Sequence, residues 1–159
     1  GTLLLTENFS AQFAASFLDA SIDEWLVGDV DVSGDRAIQN TPEEMVFVGL
    51  SYNTDLAGGN LLINANYSYK GEVQQFEAPA PDIDQDSYGL LNASIVWTSG
   101  DEQWLVGLHG KNLTDEEYRT AGYCFGFSGC PSALGLENNT TVFFGPPLTG
   151  FVTVEYRFQ

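Results

Sequence analysis

Trp104-Leu105-Val106-Gly107-Leu108-His109-Gly110-Lys111 alternates apolar with small or polar residues, and Asn112-Leu113-Thr114-Asp115-Glu116-Glu117-Tyr118 follows it directly. Period-two alternation marks a strand with one apolar face, so a strand over 103–113 leaves here into a polar loop. The chain returns through Phe144-Gly145-Pro146-Pro147-Leu148-Thr149-Gly150 into a closing alternation, Phe151 to Phe158. In that last run Val152, Val154, Tyr156 and Phe158 share one face, with Thr153, Glu155 and Arg157 on the other.

Working outward, the same alternation predicts further strands over 8–25, 45–52, 61–70 and 88–97, about six in all. The cleanest is Leu61, Ile63, Ala65, Tyr67 and Tyr69 against Leu62, Asn64, Asn66, Ser68 and Lys70. Asn64 and Asn66 would be costly in an apolar core, so their face must be wet or hydrogen-bonded. The first strand, with Phe9, Ala11, Phe13, Ala15 and Phe17 on one face, is expected to be unusually long for a soluble sheet. Between strands, long polar loops alternate with short turns such as Ala57-Gly58-Gly59 and Ser99-Gly100-Asp101. An up-and-down antiparallel meander in which every other connection is long is the pattern of transmembrane β-barrels. The apolar faces would then meet lipid, placing Val152, Val154, Tyr156 and Phe158 in the membrane, and the polar faces would line a lumen. A soluble sheet reverses that assignment, and alternation by itself does not separate the two.

Composition narrows the classes. Few charged residues, abundant Gly, Asn, Ser and Thr, and 13% aromatics describe an all-β chain. The longest apolar runs, such as Leu3-Leu4-Leu5, are far too short for a spanning helix. A net charge of −17 excludes nucleic acid as a partner, because nothing could neutralise its phosphates.

The Asn112-Leu113-Thr114-Asp115-x-x-Tyr118 segment, with the later Gly145-Pro146-Pro147 and a terminal aromatic strand, resembles the C-terminal end of TonB-dependent outer-membrane receptors. Val32-Ser33-Gly34-Asp35-Arg36, Gln39-Asn40-Thr41-Pro42 and Tyr88-Gly89-Leu90-Leu91-Asn92-Ala93 extend the likeness over most of the chain. Gln159 departs from it, since the family's last residue is the aromatic itself. The resemblance implies that residues 1–159 are a C-terminal part of the barrel, with the plug domain, earlier strands and TonB-interacting segment upstream. About six strands cannot close the roughly 22-stranded barrel of that family. It implies an outer-membrane location in a Gram-negative cell, and active uptake of a scarce nutrient such as an iron–siderophore complex. The implied partners are outer-membrane lipid, the TonB energy-transducing complex, the barrel-assembly machinery at the C-terminal strand and a small-molecule ligand. The alternative from another class is a soluble secreted β-sheet binding or adhesion module.

Catalytic and metal chemistry find little footing. His109, the only histidine, has no nucleophile beside it in the pattern and is expected to line the polar face; the chain reads as a non-enzyme without a cofactor. Asp29, Asp31 and Asp35 match the start of a calcium loop, but Asn40 stands where a bidentate Glu belongs and Arg36 where an apolar residue does. They are calcium candidates or simply a solvated acidic loop, and Asp82, Asp84 and Asp86 pose the same choice. Cys124 and Cys130, the only cysteines, lie close together in a polar loop, which favours a local disulfide.

Overall fold

A computed structural model describes residues 1–77, 80–125 and 139–158. Among them the chain is all-β, with one antiparallel sheet as its frame. In chain order the strands are β1 (Thr2–Leu4), β2 (Phe9–Phe17), β3 (Leu26–Val27), β4 (Val30–Asp31), β5 (Glu44–Leu56), β6 (Gly59–Lys70), β7 (Tyr88–Ser99), β8 (Trp104–Lys111), β9 (Arg119–Phe125), β10 (Asn139–Phe144) and β11 (Thr149–Tyr156). The main sheet has seven strands in the order β1-β2-β5-β6-β7-β8-β11. Each strand pairs with its chain neighbour in the sheet, so the topology is an up-and-down meander. The hairpins β3–β4 and β9–β10 stand apart, inside the first and third long connections.

Three sequence expectations need correction. The first strand stops at Phe17, well short of Trp25. Its partner β5 begins only at Glu44, just past Pro42, which has no N–H to give, so β2 runs out of a neighbour. Leu18 makes one last bond to the Glu43 carbonyl (2.8 Å), and the chain then leaves. The sheet also has seven strands rather than six, because the three-residue β1 pairs with the start of β2. Finally, the strand expected over 103–113 ends at Lys111, where Asn112 swings to φ 48°.

The register assembles a wholly apolar row across six strands: Val152, Leu108, Ile95, Ile63, Tyr52 and Phe9 are successive partners. One residue along, the row on the opposite face is Phe151, His109, Ser94, Asn64, Ser51 and Ser10. These faces are exposed the wrong way round for a soluble sheet. Val152 and Val154 are each 64% exposed while Thr153 between them is partly buried. On β8, Trp104, Val106 and Leu108 are exposed while Leu105, Gly107 and His109 are shielded. Among the described residues the buried apolar ones, Val73, Ala80 and Ile83, belong to the loops and not to the sheet.

The long connections 18–43, 71–87 and 112–148 all leave from one end of the sheet, and the tight turns 57–58 and 100–103 lie at the other. Ala57 and Gly58 have φ 50° and 70°, the paired positive values of a type I′ hairpin whose twist matches its strands.

Candidate functional site

The segment that organises the sequence also organises the loop end of the last hairpin. Asn112 is 3% exposed, and its side chain bonds in two directions. Its Nδ2 donates to the carbonyls of Glu116 (2.8 Å) and Pro146 (3.1 Å), and its Oδ1 accepts the Glu116 N–H (2.9 Å). Its own N–H donates to the Asn92 side chain on β7 (3.0 Å). Only Asn combines a donor, an acceptor and tolerance of a left-handed backbone in so short a side chain. Leu113 donates its N–H to Leu91 O (2.8 Å), and Asp115 accepts the Leu148 N–H (2.9 Å) where the chain turns into β11. Tyr118 O accepts the Gly145 N–H (2.8 Å), and the Tyr118 ring lies where any Cβ on residue 145 would sit. That ring stacks on Tyr88, with centroids 4.6 Å apart. Asn112, Leu113, Asp115, Tyr118, Gly145 and Pro146 are thus brought together as a clasp between β8 and β11. Thr114 and Pro147 are exposed beside it, Pro147 O accepting the Thr149 hydroxyl (2.9 Å).

Below the clasp, the polar face carries a shallow hollow of about 400 Å³, with Asn66, Asn92, Ser94, His109 and Lys111 among its walls. Asn92 donates to Asn66 (3.0 Å), and His109 Nε2 lies 3.0 Å from the Thr153 hydroxyl with its ring stacked on Phe151. The arrangement gathers amide, hydroxyl and imidazole groups on the polar face of the sheet. His109 faces no activated nucleophile, and its described polar partner is a hydroxyl.

Above the clasp the loops form a cap. Asp84 is a tie inside it, accepting the N–H of Gln75 (3.0 Å) and of Ala80 (2.9 Å). Arg119 donates to the Gln85 side chain and to Asp84 O, joining the second long connection to β9. Ile83 packs there on Ala80, Phe76 and Val142. The acidic run 82–86 is therefore a turn around a buried isoleucine, not an extended row of carboxylates. Asp29 follows Gly28 at the β3–β4 turn, Asp31 lies on β4 and Asp35 in a short 3₁₀ turn over Ser33–Asp35. Asp31 Oδ1 is engaged by the N–H groups of Ser33 (2.9 Å) and Trp25 (3.1 Å), which hold its carboxyl below the usual range. The three aspartates are not brought together. Among the described residues no group of three His, Cys, Asp or Glu side chains could hold a metal ion. The Cys124–Cys130 pairing lies outside the described residues.

No family model, curated protein or solved structure matches this chain. What the residues do in the fold must carry the functional reading. The sequence marks Asp84 only as a calcium candidate and Asn92 only as part of the resemblance, and it does not single out Arg119; the bonds all three make here were not foreseen. Asn92 carried one usable signal, a polar residue that can bond sideways on the Asn-bearing face. The roles of Asp84 and Arg119 depend on loop packing that has no periodicity.

Proposed function

We propose that the chain is the C-terminal part of the β-barrel of a TonB-dependent outer-membrane receptor, which takes up a scarce nutrient such as an iron–siderophore complex. One observation carries the membrane part of this reading: the apolar face of the sheet is exposed and its polar face is shielded. In water an apolar face of this extent exceeds what soluble monomers leave uncovered. In a bilayer it is the face that meets the acyl chains, while polar side chains line the interior. The grouping of long connections at one end fits outer loops opposite short periplasmic turns.

The open edges support a larger barrel. β1 covers β2 only from Ser10 to Gln12, and β11 has β8 as its one partner among the described residues. Unpaired backbone groups in lipid cost several kcal/mol each, so spanning sheets close, and further strands of a longer protein would complete this one. The plug and the segment that meets the TonB complex would lie in that upstream part, while β11 would be the strand offered to the assembly machinery. The receptor assignment itself rests on the Asn112-Leu113-Thr114-Asp115-x-x-Tyr118 and Gly145-Pro146-Pro147 resemblance, and the clasp gives those residues a structural reason to occur together. The reading involves no nucleic acid and assigns this part no catalytic role or cofactor.

The test is localisation and uptake in the native cell. The protein containing this chain should fractionate with the outer membrane, and its loss should abolish energy-dependent uptake of one nutrient complex. Recovery of the chain as a monodisperse, well-folded monomer in detergent-free buffer would overturn the proposal in favour of a soluble binding module.

A further inference from the structure

The shallow hollow on the polar face draws its walls from neighbouring rows of the sheet. Asn66 and Asn92 are partners in one row, and Ser94, His109 and Phe151 are successive partners in the next. Lys111 follows directly on Gly110, the partner of Ala93.

The clasp fixes how the two amides are turned. Asn92 Oδ1 accepts the Asn112 N–H (3.0 Å), which only the oxygen end of that amide can do. Its Nδ2 end therefore faces Asn66 and donates to Asn66 Oδ1 (3.0 Å). Asn66 thus has its oxygen engaged and its Nδ2 without a partner among the described residues, on a side chain that is only partly buried. Lys111 is exposed, and its Nζ lies 5.8 Å from the centre of the Phe151 ring. The one ion pair among the described residues joins Arg157 to Glu155, so no described carboxylate answers Lys111. In a chain with 22 acidic residues against 5 Lys and Arg, that is the reverse of expectation.

The groups left open to the hollow are thus an ammonium, an amide NH₂ and the Ser94 hydroxyl, and no described wall residue is acidic. A donor-rich, carboxylate-free wall calls for an acceptor, and its single full cation calls for a single negative charge. A carboxylate has that charge and two acceptor oxygens. A phosphate dianion has twice the charge and more oxygens than these donors answer.

We infer that this hollow binds the carboxylate of a small molecule, one oxygen on Lys111 Nζ and the other on Asn66 Nδ2. The Ser94 hydroxyl is a further donor, and the 40% exposed Phe151 ring lies against the carbon skeleton. Neither the membrane nor the receptor reading is needed for this site.

The experiment uses the protein containing this chain, folded in an uncharged maltoside micelle, with Phe151→4-fluorophenylalanine as a fluorine-NMR reporter in the wall. It is titrated with acetate, with neutral acetamide of the same shape, and with inorganic phosphate. Acetate should shift the reporter saturably, with a dissociation constant roughly millimolar for so small a probe. Acetamide and phosphate should bind about tenfold more weakly or worse. Lys111→Met and Asn66→Leu should each weaken acetate binding by about tenfold, with β-sheet circular dichroism unchanged. Lys70→Met, elsewhere on the polar face, should leave it as it is. Should Asn66→Leu disturb the sheet, Lys111→Met at its exposed position decides alone. No saturable shift with acetate, acetamide matching acetate, phosphate binding more tightly, or no response to Lys111→Met overturns the inference. A protein that folds only without detergent strikes the membrane reading instead, and the same titration in buffer then decides this site by the same outcomes.

Discussion

Replacing Asn112 tests the clasp most directly. Asn112→Ala removes three side-chain hydrogen bonds, to Glu116 N, Glu116 O and Pro146 O, and places a Cβ-bearing residue without local compensation at φ 48°. Glu116 and Pro146 are exposed residues, so water can reach part of what is orphaned. A net value of about 1 kcal/mol per bond is therefore the appropriate one. Adding about 1 kcal/mol for the left-handed backbone gives a loss of about 4 kcal/mol. Asn112→Gly relieves the backbone cost and should lose about 3 kcal/mol. Asn112→Asp keeps the acceptor for Glu116 N but turns a carboxylate toward two carbonyl oxygens, and should be at least as damaging as Gly. The measurement is urea unfolding of the micelle-folded protein, followed by tryptophan fluorescence. If Asn112→Gly matched the wild type, the hydrogen bonds would contribute nothing, and Asn112 would be a turn residue alone.

On the proposed membrane reading, Arg at Val154 should destabilise the membrane-folded protein by about 2–4 kcal/mol and Arg at Thr153 by far less, because only the first lies on the exposed apolar face; equal losses in vesicle unfolding would reverse the face assignment. Ala57→Gly should stabilise by about 1 kcal/mol, since Ala57 sits at φ 50° in a type I′ turn, and a chemical-denaturation midpoint that falls would refute this. The Ser99 hydroxyl and the Gln103 N–H hold the Asp101 carboxyl below its ordinary value of 3.8. Its contribution is thus complete above pH about 4 and disappears as pH falls through the lower folded value, so Asp101→Asn should flatten the acid limb of stability, and a carboxyl-carbon titration at or above 3.8 would contradict it. Non-reducing mass spectrometry of protein from its native membrane should find Cys124 and Cys130 linked, and two alkylated thiols would end that expectation.

The strands were legible where alternation was long. Leu61 to Tyr69 and Val152 to Tyr156 showed both faces in the sequence, because each side chain's environment there depends only on parity, although β11 stops at Tyr156, short of the expected Phe158. Parity could not say which face is exposed; the exposure of Val152 and Val154 against shielded Thr153 supplies that. β1 was missed because three residues, Thr2 to Leu4, are too few to show a period. β2 was overextended because its end is set by Pro42, just ahead of its partner strand β5. The β9–β10 hairpin was read as loop although Thr140-Thr141-Val142-Phe143-Phe144 is rich in strand formers, since its partner run is broken by Gly122. At the clasp, the residues of Asn112–Tyr118 were legible as a pattern, but Asn92's share was not. It comes from a neighbouring strand that only the three-dimensional pairing brings into reach.

The bond from Gly145 N to Tyr118 O closes the base of the segment between them. Whatever lies beyond that bond is attached to the sheet through a seal that does not depend on its length or composition. Lengthening a closed loop costs little, each doubling about 0.6 kcal/mol. Insertions, deletions and wholesale exchange of the β9–β10 hairpin should therefore leave the end of β8 and the start of β11 unmoved. Such a loop can change in length and sequence while the sheet beneath it stays constant, and a foreign epitope grafted between Tyr118 and Gly145 should be displayed without loss of the sheet.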